Sequence, residues 1–514
     1  MTTLSPDALV VETSSGALRG ITDGTVRSWR GIPYAVPPVG ALRFLAPRPV
    51  EPWSGVRDAV AFRHASVQSK SPAVRLPADV SMSEDCLTLN VTAPAEHDGP
   101  LPVMVWIHGG AYFAGSSAQA LYDPAHLVAE GVVVVTVNYR LGALGFLDLS
   151  SLSSGAATFD SNPGLRDQLA ALRWVQDEIA AFGGDPGDVT LFGESAGGGC
   201  VTTLLTSPAA AGLFHRAIAQ SSPATSVYSA ERAARVARRF LDVVGIDADR
   251  PELLRERTAE SLADAAFALI GDVARDVPGT LALAPVVDGD IVPVHPIEAY
   301  SAGTQLPVPL IIGTNRDEAS LFKLMKSPLM PVTEASVAAM FEELAAEQPD
   351  LGDAAERIEG AYPHYPRRRT PSELSRDAGF RMPSIWLATA NSRVAPTRMF
   401  RFDHATPMLK LLGIGATHGA ELAYVWGNFE VAPKDPTFRL GGRKEAHRLS
   451  ESIRRRWTAF AASGTPSAGE GAPKWPLYDE STRSTLIFDR GETVVDDPDA
   501  EVRSAWGDEV IGFS

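Results

Sequence analysis

Two hydrophobic patterns alternate along the chain. Pro102 to Ile107, Val132 to Val137, Asp188 to Phe192 and Val308 to Gly313 are short apolar runs, as strands buried on both faces require. Leu87 to Val91, Arg216 to Gln220, Arg398 to Phe402 and Thr485 to Phe488 read as further strands. Helical spacing lies between them. Leu165, Leu169, Leu172, Val175 and Ile179 share one face of Gly164 to Phe182; Ala196, Cys200, Val201, Leu204 and Leu205 do so just after Ser195. Residues 9–28 predict small antiparallel strands around a Ser14-Ser15-Gly16 turn. Arg30-Gly31-Ile32-Pro33-Tyr34 opens a proline-rich loop reaching Pro52. Residues 228–275 are helical in pattern. So are 330–396, which read as an insertion packed over the sheet. This alternation predicts an α/β fold: a large, mostly parallel or mixed central sheet with helices on both faces and ligands at the carboxyl ends of its strands. No repeat or linker divides the chain, so residues 1–514 read as one domain, its helical insertion at about 320–396.

Composition narrows the class. The 514 residues are 45% hydrophobic and 21% charged, ample for a large core, and the net charge of −16 argues against nucleic acid or an anionic membrane as partner. No segment is long enough to span a membrane, and Met1 to Val11 shows no basic and apolar leader pattern. Two cysteines, Cys86 and Cys200, exclude a stapled scaffold and supply no zinc site. Buried free thiols in a reducing, cytoplasmic setting are expected.

The candidate chemistry centres on Gly193-Glu194-Ser195-Ala196-Gly197, between a predicted strand and a predicted helix. An abrupt strand-to-helix turn holds its serine in a strained conformation, clear of the sheet, at a helix N-terminus. A serine nucleophile needs a base, and the base an acid partner; in sheets with this turn the chain order is serine, acid, histidine. Among the downstream histidines, His447 lies in a charged amphipathic stretch, His364 between prolines, and His404 at a strand end. His418 lies in the glycine-rich loop Gly413 to Gly419, whose backbone freedom favours it modestly over His404. Asp317 and Glu318 both follow the Val308 to Gly313 strand, and spacing does not choose between them. Oxyanion donors are expected from Gly109-Gly110-Ala111, after the Pro102 to Ile107 strand, and from the Ala196 amide. His108 precedes the serine and is read as ordering that loop.

On these motifs the chain resembles the type-B carboxylesterase/lipase family, of α/β-hydrolase fold, nearest in pattern to bacterial carboxylesterases of the p-nitrobenzyl esterase kind. The resemblance also rests on Glu84-Asp85-Cys86-Leu87-Thr88-Leu89-Asn90-Val91, Asn138-Tyr139-Arg140-Leu141-Gly142, Gly313-Thr314-Asn315-Arg316-Asp317-Glu318 and His418-Gly419-Ala420-Glu421-Leu422. It implies Ser195, Glu318 and His418 as catalytic residues and Gly110, Ala111 and Ala196 as oxyanion donors. Glu194, Ser221 and Gly109 are implied as their supports, and Arg43–Glu84 and Arg140–Asp167 as internal ion pairs. The chain departs in two places: Cys86 has no upstream cysteine to pair with, and Ser222 stands where the family usually has glycine. The loop before Glu84 lacks the tryptophan on which cholinesterases stack quaternary ammonium, which argues against choline esters. The expected activity is hydrolysis of neutral carboxylic esters without metal or cofactor. Carbamates, aryl amides or lipids are the enzymatic alternatives, and a non-catalytic binding protein on the same fold is the other class. Tyr112, Phe113 and the 330–396 segment are expected to line the pocket.

Overall fold

The computed structural model describes residues 9–70, 74–155, 157–367, 369–430 and 435–513. The beginning of the N-terminal stretch assessed for a leader, residues 1–8, lies outside them. The dominant element is an 11-stranded mixed sheet. Its parallel centre runs from Val133–Val137 through Leu101–Ile107, Gly184–Glu194, Arg216–Gln220, Leu310–Asn315 and Thr397–Phe402 to Ser484–Phe488. Antiparallel strands Thr88–Pro94, Val26–Pro33 and Ile21–Thr22 extend one side, and Glu492–Asp496 closes the other. Val10–Thr13, Gly16–Arg19 and Val56–Asp58 form a separate three-stranded sheet.

The side-chain period of two splits each central strand between two cores. Val103, Val105, Ile107, Leu191, Leu310 and Ile312 face one side, packed with Leu165, Leu169 and Leu172 of helix Pro163–Glu178. Met104, Trp106, Phe192, Ile218 and Ile311 face the other, against Leu449, Ile453 and Trp457 of helix Arg443–Ser463. Burial on both faces explains why the sequence shows runs rather than alternation.

One segment is a correction. Arg30 to Pro33, expected to open a loop, ends the strand Val26–Pro33, whose pairing with Thr88–Pro94 slips between Trp29 and Ile32. Gly31, at φ +71° within that slip, makes the irregularity possible and masked the strand in the sequence. The 330–396 segment forms helices Glu334–Glu347, Ala354–Gly360, Thr370–Arg376 and Met382–Ser392. Between the last two, Asp377–Arg381 makes a wider π-helical turn.

Candidate active site

Parallel strands ending at one edge deliver their loops to one crevice. Ile107 leads into Gly109–Ala111, Glu194 into Ser195, Gln220 into Ser221, and Asn315 into Glu318. Ser195 has φ 57° and ψ −126° and precedes helix Ala196–Leu204. Such a conformation costs about 1–3 kcal/mol and persists only where its surroundings fix it. Here the Ser195 amide donates to the Gln220 carbonyl at 2.9 Å. The turn also needs its glycines. A Cβ on Gly197 would lie 2.1 Å from the Ile107 carbonyl oxygen, and one on Gly193 would lie 2.6 Å from the Gly197 backbone.

His418 bridges the two other sequence-predicted groups. Its Nε2 lies 2.8 Å from Ser195 Oγ and its Nδ1 2.7 Å from Glu318 Oε2. Glu318 is fully buried, and its other oxygen accepts from Ser221 Oγ at 2.6 Å and from the Asn315 amide at 2.7 Å. Asp317 turns elsewhere: its carboxylate accepts from the Ala416 amide at 3.0 Å, bracing the loop that carries His418. Arg316 faces Asp403 at 3.7 Å, not Asp317. His404 is buried beside Asp489, while His364 and His447 are exposed. His108 stacks on Tyr139 with ring centroids 4.5 Å apart, its Nδ1 2.9 Å from the Gly109 carbonyl oxygen. Burial pushes it down to about 4, so it stays neutral.

Gly109–Ala111 abuts the serine. A Cβ on Gly109 would lie 3.0 Å from Ser195 Cβ, and one on Gly110 would lie 1.9 Å from the Ala114 carbonyl oxygen. Ala111 and Tyr112 both take positive φ, 50° and 64°. Among the described residues no acceptor takes the Gly110, Ala111 or Ala196 amide.

The electrostatics around His418 are dominated by carboxyl groups. Burial alone would lower the imidazole, but Glu194 and Glu318 outweigh it and raise His418 to about 9. Burial raises Glu194, whose Oε1 is 3.3 Å from His418 Nε2, to about 8. Both shifts act in one direction, toward the protonated form of each group. Glu421, which nothing in the spacing of the chain singles out, is a further support. It is buried, accepts from Gln220 Nε2 at 3.0 Å and Asn315 Nδ2 at 2.5 Å, and so ties together the strand ends that lead into Ser221 and Glu318.

The serine opens into a cleft of about 890 Å³, solvent at its mouth included. Ala111, Tyr112, Ser195 and Ala196 form its floor; Phe322, Met330, Met340 and Phe380 line its wall. Among the described residues none that lines it is charged. Phe380, on the π-helical turn, and Phe322 pack on His418 with ring centroids 4.7 and 5.2 Å away. Phe113 does not line the cleft as expected: it packs on Phe267, because the positive φ of Tyr112 turns the next side chain away. Trp506, Ile511 and Phe513 near the C-terminus do line it.

The family model described as the carboxylesterase family matches residues 7–506. The chain belongs to the carboxylesterase family. It is 39% identical to the para-nitrobenzyl esterase of Bacillus subtilis over 502 residues, which cover 96% of this chain and 97% of that one. It is 36% identical to human cocaine esterase over 489 residues, 88% of this chain and 82% of the relative. A solved p-nitrobenzyl esterase superposes with a TM-score of 0.83, covering 97% of this chain and 99% of that one at 39% identity. A Geobacillus stearothermophilus carboxylesterase superposes at 0.81, covering 97% and 100% at 36% identity. The fold is therefore that of an α/β-hydrolase and the protein a carboxylic ester hydrolase.

Both ion pairs that the resemblance implies are present in the esterase. Arg43 pairs with Glu84 through two hydrogen bonds, and Arg140 with Asp167 likewise, the second pair fully buried. Ser222 Oγ lies 2.9 Å from Thr202 Oγ1, which satisfies the hydroxyl that replaces the usual glycine. Cys86 and Cys200 are both free and buried, and burial pushes each thiol up to about 12. Among the described residues no helix is long and apolar enough to cross a membrane, and no cluster of three metal-ligating side chains occurs.

Proposed function

We propose that the esterase acts through Ser195, His418 and Glu318 on neutral esters of short to medium acyl chain. His418 Nε2 takes the proton of Ser195 Oγ as that oxygen attacks the ester carbonyl carbon. The C–O bond to the alcohol then breaks, and the same proton passes from His418 to the leaving alkoxide. Water, giving its proton to His418, attacks the acyl-enzyme, and the proton returns to Ser195 as the acid leaves. Glu318 holds the tautomer that leaves Nε2 free and stabilises the imidazolium. Gly110, Ala111 and Ala196 supply amides to the tetrahedral oxyanion, worth about 3–4 kcal/mol for a single donor elsewhere. Gly109, Glu194 and Ser221 hold this group in place. The observation that carries the reading is His418 suspended between Ser195 Oγ and Glu318. Three unengaged amides beside the serine support it.

The uncharged lining favours neutral esters, since an ionic acyl or alcohol group entering it would lose water without gaining a partner. We read residues 1–514 as one catalytic unit with the helices at about 320–396 inserted over its sheet. We further infer a cytoplasmic protein without nucleic-acid or membrane partners, from the two unpaired thiols and the net charge of −16. The test is hydrolysis of p-nitrophenyl acetate, with Ser195→Ala as control. Turnover that survives in the variant overturns the assignment of the serine.

A further inference from the structure

The far wall of the cleft is assembled from stretches distant in sequence: Tyr228, then Met340 and Leu344 of helix Glu334–Glu347, then Phe513. One cation stands behind all of them. Arg232 lies in the first turn of helix Ala230–Val244 and is 5% exposed. Its Nη1 donates to Glu347 Oε1 at 2.8 Å. Its guanidinium carbon is 4.9 Å from the Tyr228 ring centroid and 5.2 Å from that of Phe513.

The position is costly for a cation. The N-terminal turn of a helix carries partial positive charge, and burial removes water from the guanidinium. The Glu347 carboxylate and two aromatic faces offset that cost. That carboxylate and those two rings belong to three different wall segments. The wall has little slack on its other side, where a Cβ on Gly279 would lie 3.1 Å from Met340 and 3.4 Å from Phe513.

We propose that Arg232 is a positioning residue that determines specificity: by clamping Tyr228, helix Glu334–Glu347 and Phe513 together, it sets the size of the ester group the cleft accepts. The proposal rests on the reading of this cleft as the substrate site. It gives Arg232 no contact with substrate and no part in proton transfer.

The experiment compares two pairs of esters, p-nitrophenyl acetate with p-nitrophenyl hexanoate, and ethyl acetate with hexyl acetate. The variants are Arg232→Met, which keeps length but loses charge, and Glu347→Gln, which loosens the clamp at a half-exposed partner and covers the case in which Arg232→Met does not fold. In at least one pair, KM for the larger ester is expected to rise about tenfold and that for the smaller less than about twofold. Glu347→Gln acts in the same direction by a smaller factor, and Arg232→Lys, which keeps the cation, partly restores the larger ester. An equal change for all four esters, or none, in a variant shown to be folded by its melting curve, overturns the proposal. Ser195→Ala, assayed on the same four esters, checks the underlying reading separately: rates that survive there remove the cleft as substrate site, and the proposal with it.

Discussion

The floor of the cleft and its wall are built by different physics. On the floor Ser195, His418, Glu318 and Ser221 are joined by directed hydrogen bonds, and glycines such as Gly110 and Gly197 are packed where a single added carbon collides with backbone. The wall is built of apolar and aromatic side chains, with Arg232 set behind Tyr228 and Phe513. Directional contacts fix atoms to a few tenths of an ångström, as proton transfer requires. Dispersion contacts fix a volume, as recognition of an alkyl group requires. The chemistry is thereby rigid and the selectivity adjustable.

The largest effect that sharpens this contrast belongs to the floor. His418→Ala is expected to lower kcat by about 10⁶, leaving only the residual rate that the oxyanion amides support. His404→Ala, away from the site, should leave kcat near wild type; single-turnover rates on p-nitrophenyl acetate measure both. A folded His418→Ala variant with normal turnover breaks the assignment.

Next comes the choice between adjacent carboxylates. Glu318→Gln keeps the shape but cannot stabilise an imidazolium, and kcat should fall by about 10⁴. Asp317→Asn loses an anion that only braces Ala416, so its cost should be far smaller. Reversal of the two effects in steady-state kinetics would show that the wrong neighbour has been assigned.

Glycines separate floor from wall through stability. Gly197→Ala sets a Cβ 2.1 Å from a backbone carbonyl, and should destabilise by about 1–3 kcal/mol or more. Gly379→Ala, on the wall, meets only the flexible tip of Met330 at 3.3 Å and should shift the melting temperature little. Comparable shifts in the two variants would contradict a rigid floor beside an adaptable wall.

The smallest effect is a displacement along the pH axis. The base acts only when neutral, so kcat/KM should rise with pH as His418, raised to about 9, gives up its proton. Glu194 contributes to that rise as a nearby carboxylate. In Glu194→Gln the imidazolium loses this support, its pKa falls, and the ascending limb moves to lower pH. A limb that stays in place, with chemistry shown to be rate-limiting, excludes Glu194 from the electrostatics of the base.

The same division governs what was legible in the chain. The strands were legible because burial on both faces leaves unbroken runs such as Val133–Val137, and their loops could be ordered along one edge. Arg30 to Pro33 was not, since a slip in pairing carries no periodic signature. The local pattern left Asp317 and Glu318 equivalent: two neighbours at a strand end differ only in which way the turn points them. Resemblance to a family chose Glu318, and in the structure that side chain is the one that meets His418.

The wall shows the limit most plainly. Phe113 was expected there and lies elsewhere; Phe380 belongs to the 330–396 segment expected to line the cleft, while Trp506 and Phe513 came without local signal. An aromatic residue is apolar whether it fills a core or lines a cleft, and only its neighbours in space distinguish the two. The sequence by itself determined the alternation of strands and helices, the strained serine turn and the inventory of groups for acyl transfer, because these follow from period and local backbone chemistry. Tertiary structure decided which histidine meets the serine, which carboxylate meets the histidine, and which distant side chains share a wall. Those are contacts across hundreds of residues, set by how the sheet stacks its strand ends rather than by anything adjacent in the chain.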